Sequence, residues 1–310
     1  VAIEIVPIDT PSLGDRSYLA TDGEVAVVVD PQRDIDRVLA LAAARRVAIT
    51  HVLETHVHND YLTGGLALAA RAGAAYHVNG ADQVAFDRVP TGDGDVITAG
   101  AMRLRVIATP GHTFTHLSYV LSDAGSGQAL AVFTGGSLLH GTTGRPDLLG
   151  AEHVPALARA QHASAALLAA VLPDATAVCP THGFGSFCAA GPAATTTAGS
   201  TIGTERRRNP ALTLDPASYI SGLLAGLDAY PAYYAQMAPA NAAGPQPPDL
   251  SPPASVTASE IGESIGAGRW VVDLRQRRAF AAAHVPGSVS FEFGPVSSGT
   301  SAGSCRGMPR

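Results

Sequence analysis

The chain has little of what several protein classes need. It carries three cysteines in 310 residues, an odd number with no pairing pattern. That excludes a disulfide-stapled secreted domain and points to a reducing compartment. Charged residues make up 15% and the formal net charge is -6, so no basic surplus exists to hold nucleic acid or an anionic membrane. No run of about 18 apolar residues occurs, and the start lacks a basic segment followed by an apolar one, so neither a membrane span nor a leader is expected. A soluble, cytoplasmic protein is the expectation. Its 46% hydrophobic content can fill a core, and its length suits one large α/β domain with a smaller unit or tail.

What is present alternates in two ways. Residues 2–7, 17–20 and 24–29 read as strands joined by turns at Pro11/Gly14 and Asp22-Gly23, and residues 34–46 carry apolar positions at helical spacing. Strand, helix and strand follow again through Ala48–Glu54, Leu66–Arg71 and Ala74–Val78, and residues 91–100 read as turns. Strands at 103–108, 117–121, 129–134 and 176–179 and a long Ala/Leu helix at 152–171 complete the second half. Hairpins followed by strand–helix alternation, given twice, predict an α/β (α+β) protein of two face-to-face sheets with helices outside. Pro239–Pro253 reads as a linker, residues 256–265 as a helix, and Trp270–Arg275 as a buried strand. Periodicity ends after Phe293.

Histidines gather where strands end. Thr55-His56-Val57-His58-Asn59-Asp60-Tyr61 leaves a hydrophobic run and enters Gly64-Gly65, while Pro110-Gly111-His112-Thr113 and Pro180-Thr181-His182-Gly183 are sharp turns after strands. Imidazole is the commonest metal ligand, and two histidines at i and i+2 plus a third from a distant turn make a three-histidine face with room for water. His56, His58 and His112 are the expected ligands; Asp60 could orient a water or cap the following helix. His51, His77, His140, His153 and His162 read as ordinary, and Cys179 and Cys188 as buried structural thiols.

The ordered motifs Thr-His-x-His-x-Asp, Pro-Gly-His-Thr, Phe-Thr-Gly-Gly-Ser-Leu-Leu with Gly-Arg-Pro-Asp, and Pro-Thr-His-Gly resemble the metallo-β-lactamase superfamily. Within it the chain resembles the persulfide dioxygenase and glyoxalase II branch, most closely its fusions to rhodanese domains. The resemblance implies an αββα sandwich over residues 1–240, a linker at 241–255, a partial rhodanese-like segment at 256–293 and an irregular tail at 294–310. It implies one Fe(II) or Zn(II) ion on His56, His58 and His112, with Asp60, His182 and Tyr61 in support and Arg145 binding a substrate carboxylate.

Two departures from the family pattern bear on the metal. Tyr61 stands where a histidine would serve a second metal, and Gly136 where a carboxylate is expected, with Asp60 or Asp147 as substitutes. A single metal is therefore expected. The first functional reading is persulfide dioxygenase-like oxidation of a small thiol such as glutathione persulfide with O2. The alternative is a glyoxalase II-type zinc thioester hydrolase, and the third reading is a degenerate thiol-binding protein without metal. A homodimer is the expected assembly. Cys305 and Arg310 mimic a rhodanese loop without its strand and helix, so no sulfurtransferase is expected; the lost pattern is what a frameshift in a GC-rich gene would yield.

Overall fold

Period-2 alternation in the first half of the chain buries one strand face against a second sheet and the other against helices. In the computed structural model, which describes residues 2–191 and 199–293, the first half runs β1 (Glu4–Thr10), β2 (Asp15–Thr21), β3 (Val25–Val29), α1 (Ile35–Arg45), β4 (Ala48–Leu53), α2 (Gly65–Ala72), β5 (Ala75–Asn79) and β6 (Val89–Thr91). These six strands form one sheet in sequence order. The second half runs β7 (Val96–Ala99), β8 (Met102–Ala108), β9 (Leu117–Asp123), β10 (Ala129–Gly135), α3 (Val154–Val171), β11 (Ala177–Pro180) and β12 (Ser200–Thr201), a second six-stranded sheet ordered β12-β11-β10-β9-β8-β7. Helices α4 (Ile202–Arg208), α5 (Pro210–Thr213), α6 (Pro216–Ala225) and α7 (Tyr234–Ala243) follow.

The sheets meet through one core. Val27, Val29 and Leu53 from the first sheet pack with Leu104, Tyr119 and Phe133 from the second. Each fully buried side chain of this size contributes about 1.5–3 kcal/mol. The opposite faces carry the helices: Val28, Ile49 and Val52 pack with Ile35, Val38 and Leu68 of α1 and α2, and Val120, Val132 and Val178 with Ala158, Ala165 and Leu168 of α3. The result is the αββα sandwich expected from the sequence. The turn-rich stretch at 91–100 differs from expectation, since it ends β6 and holds all of β7; Pro90, Gly92 and Gly94 mask the alternation there.

Strand direction explains why the polar loops converge. β3 pairs parallel with β4, so Asp30 and Glu54 leave the first sheet at the same end. β8 and β10 both run antiparallel to β9, and β11 runs parallel to β10, which brings Thr109, Gly136 and Thr181 to one end of the second.

The expected linker starts later than its proline suggests. Pro239 lies inside α7, whose buried Asn241 donates to the carbonyls of His58 (2.9 Å) and Tyr61 (2.8 Å) and accepts from the Thr63 N–H (3.0 Å). Residues 241–243 therefore belong to the first unit. Beyond it lie α8 (Ala258–Gly266), β13 (Val272–Asp273), α9 (Arg277–Ala282) and β14 (Val289–Ser290), with β13 and β14 paired parallel. The expected buried strand at 270–275 is only two residues long, and Trp270, Val272 and Leu274 are exposed, because the described residues place no second layer over it. The tail at 294–310, with Cys305 and Arg310, lies outside the described residues. Among the described residues, no helix is long and apolar enough to cross a membrane.

Candidate metal centre

The loop after β4 is held at its root by a buried carboxylate. Asp30, at φ 50°, accepts from the Thr55 N–H (2.7 Å), from the Thr55 hydroxyl (2.7 Å) and from the Thr181 hydroxyl, tying three strand ends together. Asp tolerates this left-handed backbone better than most residues do. The loop's exit depends on Gly64 and Gly65: a Cβ on Gly64 would lie 2.3 Å from the Gln32 carbonyl oxygen, and one on Gly65 would lie 2.2 Å from Glu54 Oε1.

Hydrogen bonds then fix which nitrogen each imidazole presents. The Thr55 hydroxyl donates to Asp30, so it accepts the Nδ1–H of His56 (2.9 Å) and leaves His56 Nε2 as the lone pair. The Arg145 carbonyl accepts from His112 Nδ1 (2.8 Å), and His112 Nε2 is buried without a hydrogen-bond partner. His58 Nε2 faces Asp30 and Glu54 at 3.3 Å each and the Tyr61 hydroxyl at 2.9 Å, so only its unpartnered Nδ1 is open, 4.0 Å from Asp60. His182 Nδ1 donates to Asp15 (2.9 Å) and lies 3.3 Å from Asp60, while its Nε2 is 3.4 Å from His56 Nε2.

The electrostatics follow from these contacts. Burial works against a charged His58, but Asp30 and Glu54 outweigh it and lift the imidazole to about 9. Burial likewise opposes the charge on His182, and Asp60 and Asp15 outweigh it, so His182 is held protonated. His112 is pushed down to about 3 by burial and by His182, and His56 is lowered by burial and by His58. Burial raises Asp60, yet His182 outweighs it and keeps Asp60 ionised; Asp15 is raised by burial and by the Asp60 charge.

Possible ligand atoms of His56, His112 and His182 lie within 4.8 Å of one another, as do those of His58, Asp60 and His182. His112 Nε2 and His58 Nδ1, together with both Asp60 oxygens, are buried without hydrogen-bond partners, and a metal on His58 Nδ1 would have to displace the proton that Asp30 and Glu54 favour. Leaving a buried polar group unsatisfied costs about 1–3 kcal/mol each, so such atoms in two ligand sets that share His182 fit metal binding better than they fit a structural polar network. The donor set supports a metal cofactor.

Several residues sit differently from expectation. Arg145 is 3% exposed, pairs with Asp147 at 2.7 and 2.8 Å, and donates to the Phe187 (3.1 Å) and Asp228 (2.7 Å) carbonyls. Its guanidinium is a clamp inside the fold, and only its backbone serves the site. Asp147 is held in that clamp and is not among the ligand groups; the carboxylate that reaches the cluster is Asp60. Tyr61 stacks on His58 (4.3 Å) and supports its far nitrogen. Gly136 packs on His112, where a Cβ would lie 2.3 Å from Cδ2. His116 was not legible: its Nε2 accepts the Gly136 N–H (3.0 Å) and its Nδ1 contacts Thr109, so it braces the turn and has no nitrogen left to bind metal. Asp15, Asp30 and Glu54 gave no motif signal either. Cys179 and Cys188 are buried free thiols, Cys179 being pushed up to about 12 by burial.

No family model matches the chain. A hydroxyacylglutathione hydrolase of Acidiphilium cryptum (strain JF-5) is 32% identical over 174 residues, 54% of this chain and 65% of that protein. The chain thus spans a little under two thirds of that curated relative. A metallo-β-lactamase from Staphylococcus aureus subsp. aureus COL superimposes with a TM-score of 0.82 at 27% identity, covering 98% of this chain and 88% of that one. ETHE1 from Myxococcus xanthus gives a TM-score of 0.65 at 28% identity, covering 77% of this chain and 98% of that one.

Proposed function

This chain belongs to the metallo-β-lactamase superfamily, and we propose from that premise that it is a metal-dependent enzyme acting on a small thiol derivative. The observation that carries the reading is the pair of buried ligand sets, His56 with His112 and His182, and His58 with Asp60 and His182, in which atoms of His58, His112 and Asp60 are unpartnered. His56 Nε2, His58 Nδ1 and His112 Nε2 would hold one Fe(II) or Zn(II) ion. Tyr61 is turned to the back of His58 and supplies no second-metal ligand, which favours a single ion. Bound there, the ion supplies a Lewis-acidic open position for a thiol derivative and for dioxygen or water.

The chain's own groups have distinct tasks. Thr55 and the Arg145 carbonyl set the tautomers of His56 and His112, while Asp30 and Glu54 orient His58 from behind. Asp15 fixes His182 so that its Nε2 points at the cluster, and Asp60 stands ionised beside the His182 imidazolium, a negative charge at the site. The burial of all five groups keeps bulk water from their lone pairs.

Persulfide dioxygenase-like oxidation of a substrate such as glutathione persulfide is the finer reading, supported by the motif order and the likeness to ETHE1. Thioester hydrolysis is the second reading, favoured by the 32% identity to a hydroxyacylglutathione hydrolase. Elemental analysis of the purified protein, with oxygen uptake on glutathione persulfide and cleavage of a hydroxyacylglutathione, separates them. Iron with uptake supports the first and zinc with cleavage the second; a metal-free protein that turns over neither substrate would sink both. A cytoplasmic location belongs to the proposal, resting on three cysteines without a pairing pattern in the sequence. So does a division into this unit, a linker reaching to about residue 255, and a rhodanese-like segment at 256–293.

A further inference from the structure

With Arg145 committed to Asp147, the cation that meets the substrate has to come from elsewhere. A cleft of about 380 Å³ opens beside the metal centre, with Asp60 and Tyr61 in its wall. Its apolar wall includes Leu13, Leu62 and Met237. Most of its polar side chains already have partners. Gln32 Oε1 accepts from Thr10 (2.9 Å) and Ser17 (2.6 Å), and Asp34 pairs with Arg37 (2.6 Å). Two do not: among the described residues, neither the half-buried Arg33 guanidinium nor the Tyr233 hydroxyl has a hydrogen-bond or ion-pair partner. Burial and the nearby Asp60 charge keep the Tyr233 phenol protonated, so it has an O–H to donate where an anion arrives.

We propose that Arg33 and Tyr233 form an anion-binding subsite that holds the carboxylate of a thiol substrate whose sulfur faces Asp60 and the histidines. The inference rests on the metal-centre reading for the sulfur end and on the cleft for the carboxylate end. A guanidinium presents paired donors that match a carboxylate, a phenol adds a third, and the apolar wall takes the aliphatic body of the molecule. The substrate class is a small, carboxylate-bearing thiol derivative. A neutral alkyl thiol would leave Arg33 without its partner.

The test is calorimetric titration of the metal-loaded protein with S-methylglutathione, a thioether that carries the carboxylates but cannot react at sulfur, and with its diethyl ester. Arg33→Gln is expected to weaken S-methylglutathione by about tenfold or more, as loss of a charge-assisted pair should. The diethyl ester is expected to bind wild type and variant alike, and Arg33→Lys to recover part of the loss. Metal content, read by elemental analysis, should be unchanged in both variants. Equal affinity of Arg33→Gln and wild type for S-methylglutathione, or no binding by wild type, overturns the subsite. Arg33-dependent binding without turnover of either thiol substrate would refute the proposed chemistry and leave the subsite standing.

Discussion

The two ends of this chain use similar ingredients with opposite results. Around the metal centre, strands of five to seven residues lie between two helical layers, and every histidine of the cluster is at most 2% exposed. In residues 258–293, two parallel two-residue strands and two short helices repeat the strand–helix pattern, yet neither helix has a buried residue. α8 even has a full capping box between Thr257 and Glu260. Local signals thus specify helices in both places. Only where a second layer covers the sheet does the environment become dry enough for a carboxylate such as Asp30 to order four other groups.

Substitutions should separate the two regions sharply. The largest effect is expected from His112→Ala, which removes a ligand atom and should abolish metal binding by elemental analysis; full metal content in that variant would dismantle the constellation. Asp30→Ala comes next. It leaves Thr55, Thr181 and the His58 imidazole without their buried acceptor, at a cost of about 3–5 kcal/mol in urea unfolding. A change below about 1 kcal/mol would mean that the hub is replaceable.

Gly136→Ala is a steric test of the same region. The added Cβ would press on the His112 ring, so a loss of about 1–3 kcal/mol and weaker metal binding are expected. An unchanged affinity would show that His112 moves freely. Acid should act through His77, which burial and the neighbouring His51 push down to about 4. Because its folded value lies below the unfolded one of about 6.5, its contribution to stability is complete above that pH and lost as pH falls toward 4. His77→Phe should flatten that limb of a stability–pH curve. The smallest effect belongs to the other end of the chain: Trp270→Ser and Leu274→Ser, at exposed positions, should each change stability by less than about 0.5 kcal/mol. A drop of several kcal/mol there would mean that the segment has a covering layer after all.

Much of this was legible early because it is local. His56, His58, His112 and His182 stand in turns that follow apolar runs, and hairpin and strand–helix alternation repeated twice marked a layered sandwich. β6 and β7 were missed because glycines and a proline break their alternation, and the linker was placed too early because Pro239 reads as a helix breaker although it lies within α7.

The rest depends on partners far apart along the chain. Asp15 meets His182 across 167 positions and Asn241 meets His58 across 183, so no window of sequence contains either pair. The resemblance assigned Arg145 to a substrate carboxylate, and only packing shows its donors turned onto Asp147 and two carbonyls. The sequence by itself determined the residue types that could bind a metal and the strands that would carry them, because hydrophobic period and turn chemistry act over a few residues. Tertiary structure alone decided which nitrogen of each histidine faces inward, which carboxylate reaches the cluster and which arginine remains free. Those choices are made by hydrogen bonds between separate strand ends, and they exist only once both sheets have closed.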